Sequence, residues 1–198
     1  MKQLFFLLFV VQIAFAQQKF EKDSVIQFQK DLNERYSDTA SSPLKKSDLK
    51  KFKALNFFAI DERFFVKAKF IRTANEKPFE MPTTTSRKPM YVKYGELYFM
   101  MDNVVCKLNV YQNIELTKMP KYATSLFLPF TDLTSGVESY GGGRYIDIEI
   151  QDGMNWVIDF NQCYNPYCAY NEAYSCPLTP AENDLKVAIK AGVKKFHD

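Results

Sequence analysis

The chain holds 198 residues with a formal net charge of +3, and 46% of them are hydrophobic against 25% charged. That is one domain's worth of chain, able to bury a core without metal or disulfide staples, and its near-balanced charge argues against nucleic-acid binding. The single histidine, His197, stands next to the C-terminus, where chains usually fray, which excludes mechanisms that need an imidazole fixed in a packed site and catalytic zinc sites built on several histidines.

In chain order, Lys2 precedes an apolar run from Leu4 to Val11 that Ile13 and Ala14 extend, and Ala14-Phe15-Ala16 puts small residues where signal peptidase reads. A secretory signal peptide over residues 1–16 is expected, with cleavage near Ala16 and a mature domain over residues 17–198 in the periplasm or outside the cell. The run is too short to span a bilayer comfortably, and no stable membrane span is expected after cleavage. Ser24 with Gln27 three residues on has the form of a capping box, and Val25, Phe28, Leu32 and Tyr36 follow at helical spacing. Ser47 opens a second short helix carrying Leu49, Phe52 and Leu55. The lysines at 45, 46, 50, 51 and 53 are read as a solvated face.

After Asp61 the period changes to two. Val66, Ala68 and Phe70 predict a half-buried strand. Met90–Tyr94 and Leu97–Asp102 read as two strands joined at Gly95-Glu96, and Val104–Tyr111 as another. Residues 144–150 and 155–160 read as a hairpin turning at Gln151-Asp152-Gly153. Met81–Lys88 reads as loop. The fold class predicted is α+β, mainly antiparallel sheet in a barrel-like or sandwich form, with one or two short N-terminal helices and no internal repeat.

No P-loop or dinucleotide fingerprint is present, and no cofactor or metal is expected. Gly141-Gly142-Gly143 beside Arg144 reads either as an anion-binding nest or as a plain tight loop. Three of the four cysteines fall in Asp159–Pro177, at Cys163, Cys168 and Cys176, a spacing unlike zinc fingers or ribbons. In an exported chain a Cys168–Cys176 disulfide is the leading expectation, ahead of a metal-thiolate site, a reactive thiol, or free buried cysteine. Cys106 reads as a core residue. Pro166 and Pro177 pin an excursion after the last strand, and its tyrosines suit either a binding wall or a lid over a barrel end.

The second half resembles a widespread bacterial family, the domain of unknown function numbered sixteen eighty-four. The resemblance is carried by Phe127-Leu-Pro-Phe-Thr-Asp132, Ser139-Tyr-Gly-Gly-Gly-Arg-Tyr145, Ile158-Asp-Phe-Asn161 and Tyr164-Asn-Pro-Tyr-Cys168. It continues through Cys176-Pro-Leu178, Glu182-Asn183 and Ala191-Gly192. The family pattern has cysteines at the positions of Cys168 and Cys176 and none at Cys163 or Cys106. It reads Pro-Cys where this chain has Tyr167-Cys168, and Gly-Glu-Lys where it has Gly192-Val-Lys194. The resemblance implies one domain with one dense signature region and supplies no activity.

Two classes of function fit. One is a non-catalytic exported domain binding a small molecule, glycan or peptide. Its candidate ligand residues are Asp132, Tyr140, Arg144, Asp159, Asn161, Tyr164 and Asn165, with Arg144 expected to partner Asp159. The other is a carboxylate-based hydrolase or lyase drawing on Asp132, Glu138, Asp147, Asp159 or Glu182. A structural envelope protein is a further alternative.

Overall fold

The computed structural model describes residues 18–197, so the expected signal peptide lies outside the described residues. Helix α1 spans Lys22–Ser37 and α2 spans Lys46–Leu49. Seven strands follow: β1 Phe65–Arg72, β2 Phe79–Glu80, β3 Met90–Met101, β4 Val104–Asn113, β5 Ser125–Phe130, β6 Arg144–Glu149 and β7 Asn155–Asp159. They pair antiparallel in the order β6-β5-β4-β3-β1-β7, with β2 on β3, and the sheet curls into a half-barrel. The predicted α+β class, mainly antiparallel with short N-terminal helices, is the fold observed.

Alternation builds the concave face. Val66, Ala68 and Phe70 of β1, Leu97 and Phe99 of β3, and Leu108 and Val110 of β4 are buried there. So are Leu126 and Leu128 of β5, Ile146 and Ile148 of β6, and Trp156 and Ile158 of β7. Trp156 stacks on Phe70 with ring centroids 3.8 Å apart. The half-barrel is filled by an irregular C-terminal segment, whose Leu185, Val187, Ile189 and Ala191 are buried against it, while Val193 is buried with Leu32 and Tyr36 of α1. Helix α1 covers one end, burying Val25, Leu32 and Tyr36, and Leu32 and Tyr36 pack with Leu44, Leu55 and Tyr170.

Four expectations are corrected. The helix starts at Lys22 with Glu21 as N-cap and no side-chain cap, because the backbone turn itself takes the Ser24 N–H (Ser24 N–H to Glu21 O, 3.1 Å). Gly95-Glu96 is no turn: β3 runs through with a bulge between Lys93 and Gly95. Gly95 is needed because a Cβ there would lie 2.3 Å from the Phe70 ring. The reversal comes instead at Asp102 and Asn103, both at positive φ (49° and 62°), a conformation Asx residues tolerate in tight hairpins.

The third correction matters most. β6 and β7 do not pair with each other; they are the two edges of the sheet. β7 lies on β1, where Trp156 finds Phe70, and β6 lies on β5. Fourth, no element was expected over residues 125–130, which form β5 with Pro129 inside it. Pro129 stands opposite Tyr145, whose own backbone bonds point away to Tyr164, so the missing proline N–H removes no bond to β6.

Candidate functional site

The signature residues build the interior before they build any surface. Arg144 is the first residue of β6 and shares the inward face with Ile146 and Ile148. Its side chain and that of Asp132 are both 0% exposed and meet at 2.7 Å. The guanidinium also donates to Ile189 O at 2.7 Å and to Ala191 O. Asp132 accepts from the Thr134 N–H at 2.7 Å and the Ile189 N–H at 3.2 Å. The C-terminal segment runs through the half-barrel without a continuous strand partner, so its backbone polar groups need other partners, and this ion pair supplies them. Arg144 Nε is left without a partner.

Asn183 does the same work between β4 and β5. Those strands share a register only at Tyr111–Phe127. Two residues further along, Pro129 has no N–H to offer Asn109. Asn183 fills the gap: its Oδ1 accepts from Asn109 N–H at 2.8 Å, and its Nδ2 donates to Asn109 O at 2.8 Å and Pro129 O at 2.6 Å.

Asp159 and Arg144 do not meet, contrary to the pairing expected. Asp159 caps the turn that ends β7, accepting from the Asn161 N–H at 3.0 Å, Asn161 Nδ2 at 2.9 Å and Gln162 Nε2 at 3.0 Å. Asn161 reads the backbone of Asp61 from both sides, at 3.0 Å each. Asn165 donates to Lys194 O at 2.9 Å and to the Tyr170 hydroxyl at 3.3 Å. Tyr164 donates to Asp147 at 2.8 Å, and the Tyr140 hydroxyl faces Cys168 Sγ at 3.8 Å. The seven candidate ligand residues therefore spread over the core, a turn and the excursion, and do not share one cleft. The Gly141–Gly143 run is a tight turn held by Thr179 on Gly142 O at 3.0 Å, with Arg144 turned inward from it.

The cysteines divide. Cys106 and Cys163 are buried, and burial pushes both thiols up, Cys163 to about 11. A Cβ on Gly192 (φ +70°) would lie 2.4 Å from Cys163 Sγ, so that glycine lets the C-terminal segment pass close by. Cys168 and Cys176 are neighbours but stand as free thiols, without the expected bond. The Cys168 N–H donates to Cys176 Sγ at 3.2 Å. The Cys176 side chain, and more weakly the Tyr140 and Thr84 hydroxyls, bring the Cys168 thiol down to about 6. Met81–Lys88 is loop after the short β2, as expected, but not loose: the Thr84 N–H donates to Cys176 O, the Thr84 hydroxyl accepts from the Cys176 N–H, and Arg87 holds Ser175.

An open site lies elsewhere, where β6 and β7 part. A recess of about 450 Å³ is lined by Asp147 and Glu149 of β6, Val157 and Asp159 of β7, Gln151, Gln162, and Gln18 and Lys19 ahead of α1. Phe65 and Val157, both half-buried, give it apolar side-chain surface, while Ile146, Ile148 and Ile158 are buried on the inner face and only border it. Asp147 is exposed at its surface yet hemmed in by protein, and that crowding raises its carboxyl above the usual range while the Tyr164 hydroxyl opposes the shift. Of the hydrolase candidates, Asp147 and Asp159 reach this recess. Glu138 pairs with Lys190 at 2.9 Å, and Glu182 lies by Tyr111. Glu149, Gln151 and Gln162 were not foreseen as site residues, because the expected β6–β7 hairpin leaves no gap for them to line. Among the described residues no group of three or more His, Cys, Asp or Glu is placed to hold a metal ion, and no helix is long and apolar enough to cross a membrane.

No curated protein matches the chain. Among solved structures, the chain is similar to the solution NMR structure of the uncharacterized protein from gene locus rrnAC0354 of Haloarcula marismortui. The identity is 28%, the TM-score 0.68, and the match covers 87% of this chain and 92% of that one. The interior clamps just described fall inside a family match over residues 50–194, and the chain belongs to that family, the proteins of unknown function DUF1684.

Proposed function

We propose that this protein is an exported, non-catalytic binding domain whose ligand lies in the recess between β6 and β7. One observation carries the reading. Asp132, Arg144, Asn161 and Asn183 are committed to holding the chain's own backbone, whereas the recess offers the half-buried Phe65 and Val157 beside the exposed carboxylates of Asp147 and Glu149 and the amides of Gln151 and Gln162. A concave apolar surface with a few polar groups is the usual form of a ligand site. A small molecule, glycan or peptide of suitable shape is the class of ligand.

Thermal-shift screening against such ligands, followed by amide chemical-shift mapping of any hit, tests the site. A saturable shift that moves the Asp147, Glu149 and Val157 amides without turnover is expected. Shifts confined to other surfaces would overturn the placement. One observation favours a carboxylate hydrolase instead: Asp147, with its raised affinity for a proton, faces the same recess as Asp159. Turnover of a bound ligand that is lost in Asp147→Asn would decide for it. Export is tested by intact mass on protein from the native host's envelope, which should begin at Gln17. A full-length cytosolic species would remove that part of the reading.

A further inference from the structure

We propose that the free edge of β6 takes up an extended basic peptide as an added antiparallel strand. This deepens the binding reading, on which it rests, by naming the class of ligand. On β6, Tyr145 exchanges both backbone bonds with Tyr164, donating to its carbonyl at 2.8 Å and accepting from its N–H at 3.0 Å. Alternation in an antiparallel ladder then turns the N–H and C=O of Asp147 and Glu149 to that same outer side, while Arg144, Ile146 and Ile148 face β5. The ladder that Tyr164 begins stops there, because the chain before it is coiled in the turn Phe160–Gln162. Among the described residues, Asp147 and Glu149 have no backbone partner on the outer side.

The opposite wall is treated differently. The Gln151 side-chain amide accepts from the Val157 N–H at 2.9 Å and donates to Val157 O at 3.0 Å, standing in for a neighbouring strand. β7 is blocked at Val157, whereas β6 is open at Asp147 and Glu149, and that open stretch lines a recess of about 450 Å³. Sheet edges are usually paired, covered or blunted, and an open one is a template for an extended chain. Charge selects the occupant. Asp147, Glu149, Asp159 and Glu21 line the recess against Lys19, with Arg35 near enough to Asp147 to act on its charge, in a chain whose net charge is +3. A strand with Lys or Arg at alternate positions would run antiparallel to β6, its C-terminal end toward Tyr164, with backbone bonds to Asp147 and Glu149.

The test uses the full chain and the probe acetyl-(Lys-Val)₄-amide, beside the same peptide N-methylated on its central four residues and an acetyl-(Glu-Val)₄-amide control. Isothermal titration and amide chemical-shift mapping should show binding of the first peptide with shifts at Asp147 and Glu149. Losing the backbone bonds in the N-methylated peptide should cost about tenfold or more in affinity. Glu149→Pro, which removes the outward N–H together with the carboxylate that accepts from the Ser125 hydroxyl at 2.8 Å, should weaken binding by about tenfold or more, while Glu149→Gln, which removes the charge alone, should weaken it by a few-fold. Equal affinity for the N-methylated peptide would overturn strand addition without relying on any variant's folding. Preference for the Glu peptide would overturn the charge argument, and concentration-dependent dimers in sedimentation that block the probe would assign the edge to a second copy of the chain. If the probe does not bind but another screened ligand moves the recess amides, the peptide inference fails and the binding reading stands. If neither binds, both fail.

Discussion

Arg144 shows how one side chain can stand in for a strand. Its guanidinium spans four acceptors in the core, Asp132, Ile189 O, Ala191 O and, at 3.4 Å, the Thr134 hydroxyl. Removing it leaves a buried carboxylate without its counter-charge and the buried Ile189 carbonyl without a partner, so Arg144→Leu should cost about 3–5 kcal/mol in urea denaturation. Replacing a whole buried ion pair by apolar residues is often neutral. Here it should not be, because the Ile189 carbonyl and N–H would stay orphaned and the Ala191 carbonyl would keep only the Cys163 thiol, at 3.4 Å. Asp132→Leu/Arg144→Leu is therefore predicted to gain little over Arg144→Leu. The thiols give a second residue-scale outcome. In reduced protein, alkylation of Cys168 should follow a midpoint near pH 6, the value its Cys176 and hydroxyl neighbours impose. The unfolded thiol ionises near about 8.5. Between those values the unfolded chain binds more protons, so stability should rise with pH from about 6 and be lost as pH falls through it. A proximal pair of this kind also favours oxidation once exported. Peptide mapping without reductant should find a Cys168–Cys176 bond, with a loop-closure contribution of roughly 2–3 kcal/mol.

At the scale of elements, the chain reveals what alternates and pairs, and conceals what alternates alone. β1, β4, β6 and β7 were legible because apolar residues recur every second position beside charged or polar ones. β5 was not, since Pro129 argues against a strand until its place opposite Tyr145 is known. The segment from Leu185 to Val193 also has period two, with every odd residue buried, yet no continuous strand holds it: isolated backbone bonds hold its two ends and side chains hold Ile189 and Ala191. Nothing local in the sequence tells Arg144 and Asp132 to serve a segment some fifty residues away, which is why Arg144 was expected on Asp159. Asn183 joins β4, β5 and that segment, so Asn183→Ala should lower stability by about 2–4 kcal/mol through its three lost bonds, read from the urea midpoint. Asn183→Asp should cost at least as much, because a carboxylate cannot donate to Asn109 O and Pro129 O.

For the whole molecule, the decisive choice is that β6 and β7, consecutive in sequence and joined by a turn-rich link, close opposite ends of the sheet instead of each other. Consecutive antiparallel strands usually pair, so the recess between them could not be read from the chain. It exists because β7 is drawn to β1 by the Trp156–Phe70 stack and β6 to β5 by Leu126, Leu128 and Phe130. The half-barrel then stays a packed body because the C-terminal segment fills it. That segment is the claim on which the rest depends: with it seated, the signature residues are structural and the ligand must bind outside the core. Native-state hydrogen exchange tests this most directly. The amides of Leu185, Ile189 and Val193 donate to Thr131 O, Asp132 Oδ1 and Cys163 O, and should exchange only through global unfolding, at the rate of Leu108 or Ile146 in the sheet. Exchange of those three amides orders of magnitude faster than the sheet amides would mean that the segment leaves the half-barrel in the native state, and would reopen Asp132 and Arg144 as ligand-facing residues.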